Sequence, residues 1–283
     1  MVPAVFLVEN DFREEMPLNY KYCVRKYHLT TDVGRKKTVR LAFLTDMHLT
    51  EEAPGQEFWR LLDQCRPAGV LLGGDLMVAR KGSDVRQAEK FVQKLTEKYP
   101  VWYANGNHER RLLEETETFG KTGKRYLRAI SGTRAERLTN RKMEIAMDGC
   151  PITICGLDLP EEYYRKGFRR KGMENLLEET FGKPDPRRYT ILLAHTPRYW
   201  KEYLNWGANL TLSGHYHGGI CLLGKRRGLI TPDYRILTSE CCGIHSRGAC
   251  SVIVSAGGGE HTIPLRIHNP REITLAEISF GEA

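Results

Sequence analysis

Five short apolar runs along the chain each stop at a polar residue. Val39–Leu44 carries one charge and ends at Thr45 and Asp46, and Gly69–Leu72 runs into Gly73, Gly74 and Asp75. Pro100–Ala104 runs into Asn105, Gly106, Asn107 and His108, Tyr189–Ala194 into His195, and Ala208–Leu212 into Ser213, Gly214 and His215. Short apolar runs bounded by turn residues predict buried strands. Between the first three lie two helical periods: Phe58, Leu61 and Leu62 within 56–64, and Ala88, Phe91, Val92 and Leu95 within 85–98. Apolar positions three and four apart predict helices with one buried face. Strands alternating with helices give an α/β domain. Residues 109–130 read as helical with loops. Met143–Met147 and Pro151–Cys155, joined by Asp148-Gly149, predict a hairpin, because both turn positions tolerate positive φ. Beyond about residue 220, Ser251–Val254 and Ile273–Ile278 predict further strands.

In open α/β sheets, residues at the carboxyl ends of strands converge on one crevice. Gly74, Gly106 and Gly214 would let the backbone approach a ligand closely there. The residues so gathered are Asp46, His48, Asp75, Asn107, His195, His215 and His217, with His108 beside them. Carboxylate and amide oxygens suit hard cations, and imidazole suits Mn, Fe, Ni, Cu or Zn. No segment holds enough donors for two ions, but together they supply seven ligands and leave His108 over. A surplus histidine is expected of a catalytic site rather than a structural one. Taken singly, each residue has a plainer reading: a histidine after a strand is more often a buried hydrogen-bonded side chain, and Asp75 or Asn107 beside glycine a turn residue. Five such blocks in order favour the ligand reading.

The order D-x-H, G-D, G-N-H-[DE], a lone His and G-H-x-H resembles the calcineurin-like metallophosphoesterase superfamily. It stands here as Asp46/His48, Gly74-Asp75, Gly106–Glu109, His195 and Gly214–His217, and spans roughly residues 39 to 219. The blocks His217–Gly219, Ser246–Gly248, Pro264–Arg266 and Asn269–Ile273 are similar to the small bacterial single-domain branch. The resemblance implies a four-layer α/β/β/α sandwich of two mixed sheets flanked by helices, with a dimetal site at the carboxyl ends of strands. It implies one domain over 1–283, with a basic cap insertion around 110–188.

By the same resemblance, Asp46, His48 and His217 would hold one metal ion and Asn107, His195 and His215 the other. Asp75 would bridge them, since one carboxylate can give an oxygen to each ion. The ions, divalent or trivalent (Mn, Fe, Zn or Ni), would share an activated water that attacks phosphorus. His108 would stand by the leaving-group oxygen as a hydrogen-bond or proton donor. Glu109 would support the site without binding metal, and Tyr216 would be structural or line the substrate. The activity implied is hydrolysis of a phosphate ester, a phosphodiester or pyrophosphate before a monoester. A nuclease and a non-catalytic protein-binding scaffold are the alternatives. His28, His245, His261 and His268 fit no block and are read as structural.

The net charge of +8 would attract an anionic phosphate ester. Much of the excess lies in Lys121, Lys124, Arg125, Arg128, Arg165, Lys166, Arg169, Arg170 and Lys171, a substrate-facing patch or a solvated surface. No nucleic-acid-binding motif accompanies it, so nucleic acid is a less favoured partner. No apolar stretch approaches the ~20 residues of a membrane span. The apolar start, Met1–Val8, has no basic region before it, so it is read as no secretory signal and the expected location is the cytoplasm. The eight cysteines lack zinc-ribbon spacing and are expected as reduced thiols.

Overall fold

The computed structural model describes residues 22–49, 54–165, 171–219, 222–223, 227–230, 236–238, 241–260 and 266–281. The first half runs β1 (Tyr22–Thr30), β2 (Lys37–Leu44), α1 (Gln56–Cys65), β3 (Gly69–Leu72), α2 (Arg86–Lys98), β4 (Val101–Tyr103), α3 (Asn107–Glu114), α4 (Thr116–Phe119), α5 (Thr122–Ser131) and β5 (Glu136–Arg137). Then come β6 (Arg141–Met147), β7 (Cys150–Leu157), α6 (Leu176–Phe181), β8 (Tyr189–Ala194), α7 (Trp200–Trp206) and β9 (Leu210–Ser213). The chain ends in β10 (Leu222–Leu223), β11 (Arg227–Ile230), β12 (Ile236–Thr238), β13 (Gly243–Arg247), β14 (Cys250–Val254) and β15 (Arg271–Phe280).

Two six-stranded mixed sheets carry the structure, ordered β1-β15-β2-β3-β4-β5 and β13-β14-β9-β8-β7-β6. In the first, β2, β3, β4 and β5 are mutually parallel, and β15 runs antiparallel to β2. In the second, β7, β8, β9 and β14 are parallel, and β6 and β13 close the edges antiparallel. A short three-stranded sheet, β10-β11-β12, lies in sequence between β9 and β13 of the second sheet.

Alternation along single strands explains the layering. On β2, Val39, Leu41 and Phe43 meet Ile154, Ile191 and Leu212 of the second sheet, while Ala42 and Leu44 face Phe58, Leu62 and Phe91 of the helices. On β8, Ile191 and Leu193 enter that same inter-sheet core, while Leu192 and Ala194 pack with Leu177, Tyr203 and Leu204. Each central strand is therefore buried on both faces, which is why it reads as a continuous apolar run. The result is helices, sheet, sheet, helices, with α1, α2, α3 and α5 on one side and α6 and α7 on the other.

The helix faces coincide with the apolar spacing: α1 buries Phe58, Leu61 and Leu62, and α2 buries Ala88, Phe91, Val92 and Leu95. Asp148 (φ 51°) and Gly149 (φ 81°) form the two-residue turn of the β6–β7 hairpin, with Met147 opposite Cys150. Within 110–188, the strands β6 and β7 belong to the second sheet, while α4 and α5 lie with α3 beside the first. No helix among the described residues is long and apolar enough to cross a membrane.

Candidate metal centre

The parallel strands β2, β3 and β4 bring Asp46, Asp75 and Asn107 to one end of the first sheet. β8 and β9 bring His195, His215 and His217 to the matching end of the second. The backbone is strained where it delivers these side chains. Asp46 (φ 52°), His48 (φ 47°), Asp75 (φ 52°), His215 (φ 65°) and His217 (φ 50°) are half of the ten described non-glycine residues in the left-handed region. Such conformations cost on the order of 1–3 kcal/mol each and persist where the surroundings enforce them, chiefly at functional sites. The enforcing contacts are visible: His48 N–H donates to Asp75 O (3.0 Å), Asp46 N–H to Gly74 O (3.0 Å) and Gly214 N–H to His195 O (2.9 Å). A Cβ at Gly106 would run into the Asp75 carboxylate, and one at Gly214 into the Asp46 carboxylate, so both positions demand glycine.

Donor atoms of Asp46, His48 and His217 all lie within 4.8 Å of one another, and so do those of Asp75, His195 and His215. A third such group, His48, Asp75 and His108, overlaps both. Asp46 Oδ1 is 3.4 Å from His217 Nε2 and 3.8 Å from His195 Nε2. Asp75 Oδ2 is 3.1 Å from His195 Nε2, 3.6 Å from His48 Nε2 and 3.9 Å from His108 Nε2. The two carboxyl oxygens of Asp75 are differently employed: Oδ1 accepts the His108 N–H at the start of α3 (2.8 Å), which leaves Oδ2 turned to the imidazoles.

Hydrogen bonds at the far side of each ring sort the histidines. His48 Nδ1 meets Glu260 O and His195 Nδ1 meets Gly73 O, both at 2.8 Å. A carbonyl only accepts, so each Nδ1 carries a hydrogen, and Nε2 is the nitrogen that faces the cluster and offers its lone pair there when the ring is neutral. His108 is the reverse: the Ala79 N–H donates to its Nδ1 (3.0 Å), so its Nε2 carries the hydrogen. The difference separates two histidines able to ligate from one able to donate.

Burial sharpens the electrostatics. Asp46, Asp75 and His195 are at most 2% exposed. Burial works against charge on Asp75, but His195 and His108 outweigh it and hold the carboxyl well below its ordinary range. Burial likewise opposes the His195 imidazolium, but Asp75 and Asp46 outweigh it and push its pKa up to about 10. Burial pushes His108 down to about 4, which keeps it neutral at pH 7. Glu109 is fully buried with its carboxylate on the N–H groups of Asp75, Leu76 and Gly106, each at 2.8 Å. Burial and the Asp75 charge push it up to about 7.

The residues fit a pair of metal ions on an observation independent of sequence. Asn107 Oδ1 is buried with no hydrogen-bond partner, and the buried His48 Nε2 and His195 Nε2 face the Asp75 carboxylate, 3.6 and 3.1 Å away. Buried polar atoms are normally satisfied, and these three sit on the residues whose donor atoms converge. Asn107 is the first residue of α3, placed there by the β4 strand end and by Glu109, which takes the Gly106 amide.

The other histidines lie elsewhere. His28 pairs with Glu277 (3.0 Å), His245 lies against Trp200 (5.0 Å between ring centroids), His268 is exposed, and His261 is outside the described residues. Tyr216 packs with Cys241 and Cys242. In the basic segment, Lys124, Arg125 and Arg128 are exposed on α5 and Lys121 just before it, Arg165 is exposed, and Lys171 pairs with Glu162. Lys166, Arg169 and Arg170 are outside the described residues.

Several residues outside the candidate ligands support them, two of which, Arg266 and Asn269, lie in the blocks that resemble the bacterial branch. Thr45 Oγ1 donates to Asp46 Oδ2 (2.9 Å), and Asn269 Nδ2 to His217 O (2.6 Å) and Gly219 O (2.7 Å). Arg266 reaches from the last segment to the carbonyls of Ala256 (3.0 Å) and Gly259 and toward His217 Nδ1 (3.5 Å). Tyr164, beyond β7, lays its ring against His215 and His195, with centroids 5.4 and 6.3 Å apart.

The chain is 24% identical to the uncharacterized metallophosphoesterase YkoQ of Bacillus subtilis over 86% of this chain and 84% of that protein. It is 26% identical to an uncharacterized metallophosphoesterase of Aquifex aeolicus over 90% and 91%. A third, YkuE of Bacillus subtilis, is 35% identical over a shorter stretch, 35% of this chain and 34% of that protein. The sequence model of the calcineurin-like phosphoesterase family matches residues 39–219, which run from the middle of β2 to just past His217. The chain therefore belongs to the calcineurin-like phosphoesterase family.

Proposed function

We propose that the chain is a dinuclear metal-dependent hydrolase of a phosphodiester or pyrophosphate. The observation that carries the reading is the meeting of two ligand groups at Asp75, whose Oδ2 is turned to imidazoles of both. Asp46, His48 and His217 would hold one ion, and Asn107, His195 and His215 the other, with Asp75 between them. The donor set mixes oxygen and imidazole nitrogen, which accepts Mn, Fe, Zn or Ni according to supply. Bound there, two such ions supply an activated water and neutralise phosphate oxygens.

The protein's own part is orientation and proton placement. Carbonyls of Glu260 and Gly73 fix the tautomers of His48 and His195, so each offers Nε2 without a further rearrangement. The Ala79 amide fixes the opposite tautomer in His108, so that Nε2–H points to the leaving side and donates to the departing oxygen. Thr45 holds Oδ2 of Asp46, and Oδ1 is turned to His217, 3.4 Å from its Nε2. The basic residues between Lys121 and Lys171 would contact anionic groups remote from the scissile bond.

The test is to strip the purified protein with chelator and reload it separately with Mn, Fe, Zn and Ni. Each form is then assayed on bis-p-nitrophenyl phosphate, p-nitrophenyl phosphate, a nucleoside diphosphate ester and labelled DNA. Metal-dependent cleavage of the diester or pyrophosphate is expected. Cleavage confined to DNA would make it a nuclease, and no turnover with any metal would make it a non-catalytic scaffold.

A further inference from the structure

The segment after β7 makes one close approach to the metal-ligand cluster that no motif anticipates. Tyr164 packs edge-on to His215, with centroids 5.4 Å apart and planes at 67°, and lies 6.3 Å from His195. Its ring is half-buried, and its hydroxyl makes no hydrogen bond to any described residue. The backbone that carries it is fixed from both sides. Tyr164 N–H donates to Glu161 O (2.9 Å), which closes the short helical turn Glu161–Tyr163. On one flank the Tyr163 ring packs against Tyr199 (5.7 Å), whose hydroxyl donates to Tyr163 O (3.3 Å). On the other flank, Arg198 donates to Arg165 O.

Arg198 and Tyr199 belong to the turn Pro197–Tyr199, which begins two residues after His195. The same turn therefore follows a candidate ligand and clamps both neighbours of Tyr164. Packing alone accounts for the ring, which a phenylalanine would supply equally well. It does not account for the hydroxyl. A phenol, with an ordinary pKa near 10, is a hydrogen-bond donor at neutral pH. Its ring stands beside His195 and His215, the rings next to which the proposed ions would draw a phosphate.

We infer that Tyr164 is a substrate-contacting residue whose hydroxyl donates a hydrogen bond to a phosphoryl oxygen of the bound ester, on the His195/His215 side of the cluster. The inference rests on the phosphoesterase reading and adds to it a contact that the five motif blocks do not contain. No covalent step is assigned to the phenol.

Tyr164→Phe removes only the oxygen, and Tyr164→Ala removes the ring as well. Three quantities are measured on metal-reloaded wild type and Tyr164→Phe: ions per chain by elemental analysis, the Kd for inorganic phosphate by calorimetry, and kcat and KM on bis-p-nitrophenyl phosphate. The expected result for Tyr164→Phe is unchanged metal content, with phosphate affinity and kcat/KM each reduced roughly 10- to 100-fold, as for loss of one hydrogen bond to a charged group. A loss in KM alone would place the bond equally in ground and transition states, and a loss in kcat alone in the transition state only. Tyr164→Ala should add loss of metal, because the ring also packs on His215. Wild-type phosphate affinity and kinetics in Tyr164→Phe would overturn the inference, as would loss of metal in that variant, which would make the hydroxyl structural. A wild-type protein that binds metal but turns over no phosphate ester would instead sink the phosphoesterase reading on which the inference stands.

Discussion

The two sheets contribute unequally to the site they share. The ends of β2, β3 and β4 supply both carboxylates, the amide of Asn107, His48 and His108, whereas the ends of β8 and β9 supply only imidazoles. The first set is also held from within: Glu109 gathers the amides of Asp75, Leu76 and Gly106, and the start of α3 donates to Asp75. The second set leans on the first. His195 Nδ1 meets Gly73 O, and the His215 N–H donates to both oxygens of Asp46 at 3.0 Å. The first sheet thus fixes charge and frame, and the second would complete the proposed coordination through the inter-sheet core that aligns them.

That asymmetry makes the first sheet the place where a single change should cost most. Asp75→Asn removes the anion placed between both groups of donors. Loss of phosphodiesterase activity to background and loss of metal content are expected, read by elemental analysis and turnover. Wild-type turnover with metal retained would remove Asp75 from its bridging place.

His108 follows a strand of the same sheet, on α3, but is proposed for a different task. His108→Ala should keep its metal while losing rate by the ~10²–10⁴-fold typical of a proton-transfer group. The loss should shrink for p-nitrophenolate, a leaving group that needs little protonation. Equal losses for good and poor leaving groups would argue against a donor role, and loss of metal would make His108 a ligand.

The contrast between the sheets also marks how far the sequence is legible. The candidate site residues can be picked out because they follow runs buried on both faces, where an apolar stretch stops sharply. Strand β1 gives no such signal. Tyr22–Thr30 contains Arg25, Lys26 and His28, and its polar positions are settled by partners far along the chain. Arg25 pairs with the buried Glu272 (3.2 Å), and His28 with Glu277, both on β15. Strand β5 is two residues long and has no periodicity to read. Tyr164 is hidden for a related reason: the turn that positions it lies more than thirty residues downstream, at Arg198 and Tyr199.

Outer partners should matter less than ligands, and they allow the sheets to be compared directly. Thr45→Val removes the hydroxyl on Asp46 of the first sheet, and Asn269→Ala removes the amide on the carbonyl of His217 in the second. Each should weaken metal affinity roughly 10- to 100-fold, as outer-partner changes do. The larger effect is expected at Thr45, because it touches a carboxylate. A larger effect at Asn269 would reverse the ranking of the two sheets.

The smallest effect is expected in the basic segment. Neutralising Arg169, Arg170 and Lys171 together should raise KM for a polyanionic substrate and flatten its salt dependence. A small diester should be nearly unaffected. Unchanged kinetics on every anionic substrate would make the basic segment an ordinary solvated surface.

The most direct measurement is the number of ions bound per chain alongside turnover. Elemental analysis of the purified protein, titrated with metal after chelation, should give two ions per chain, with phosphodiesterase activity rising as the second is bound. Full activity with one ion or none would contradict a centre in which Asp75 joins the two sheets through a pair of metals.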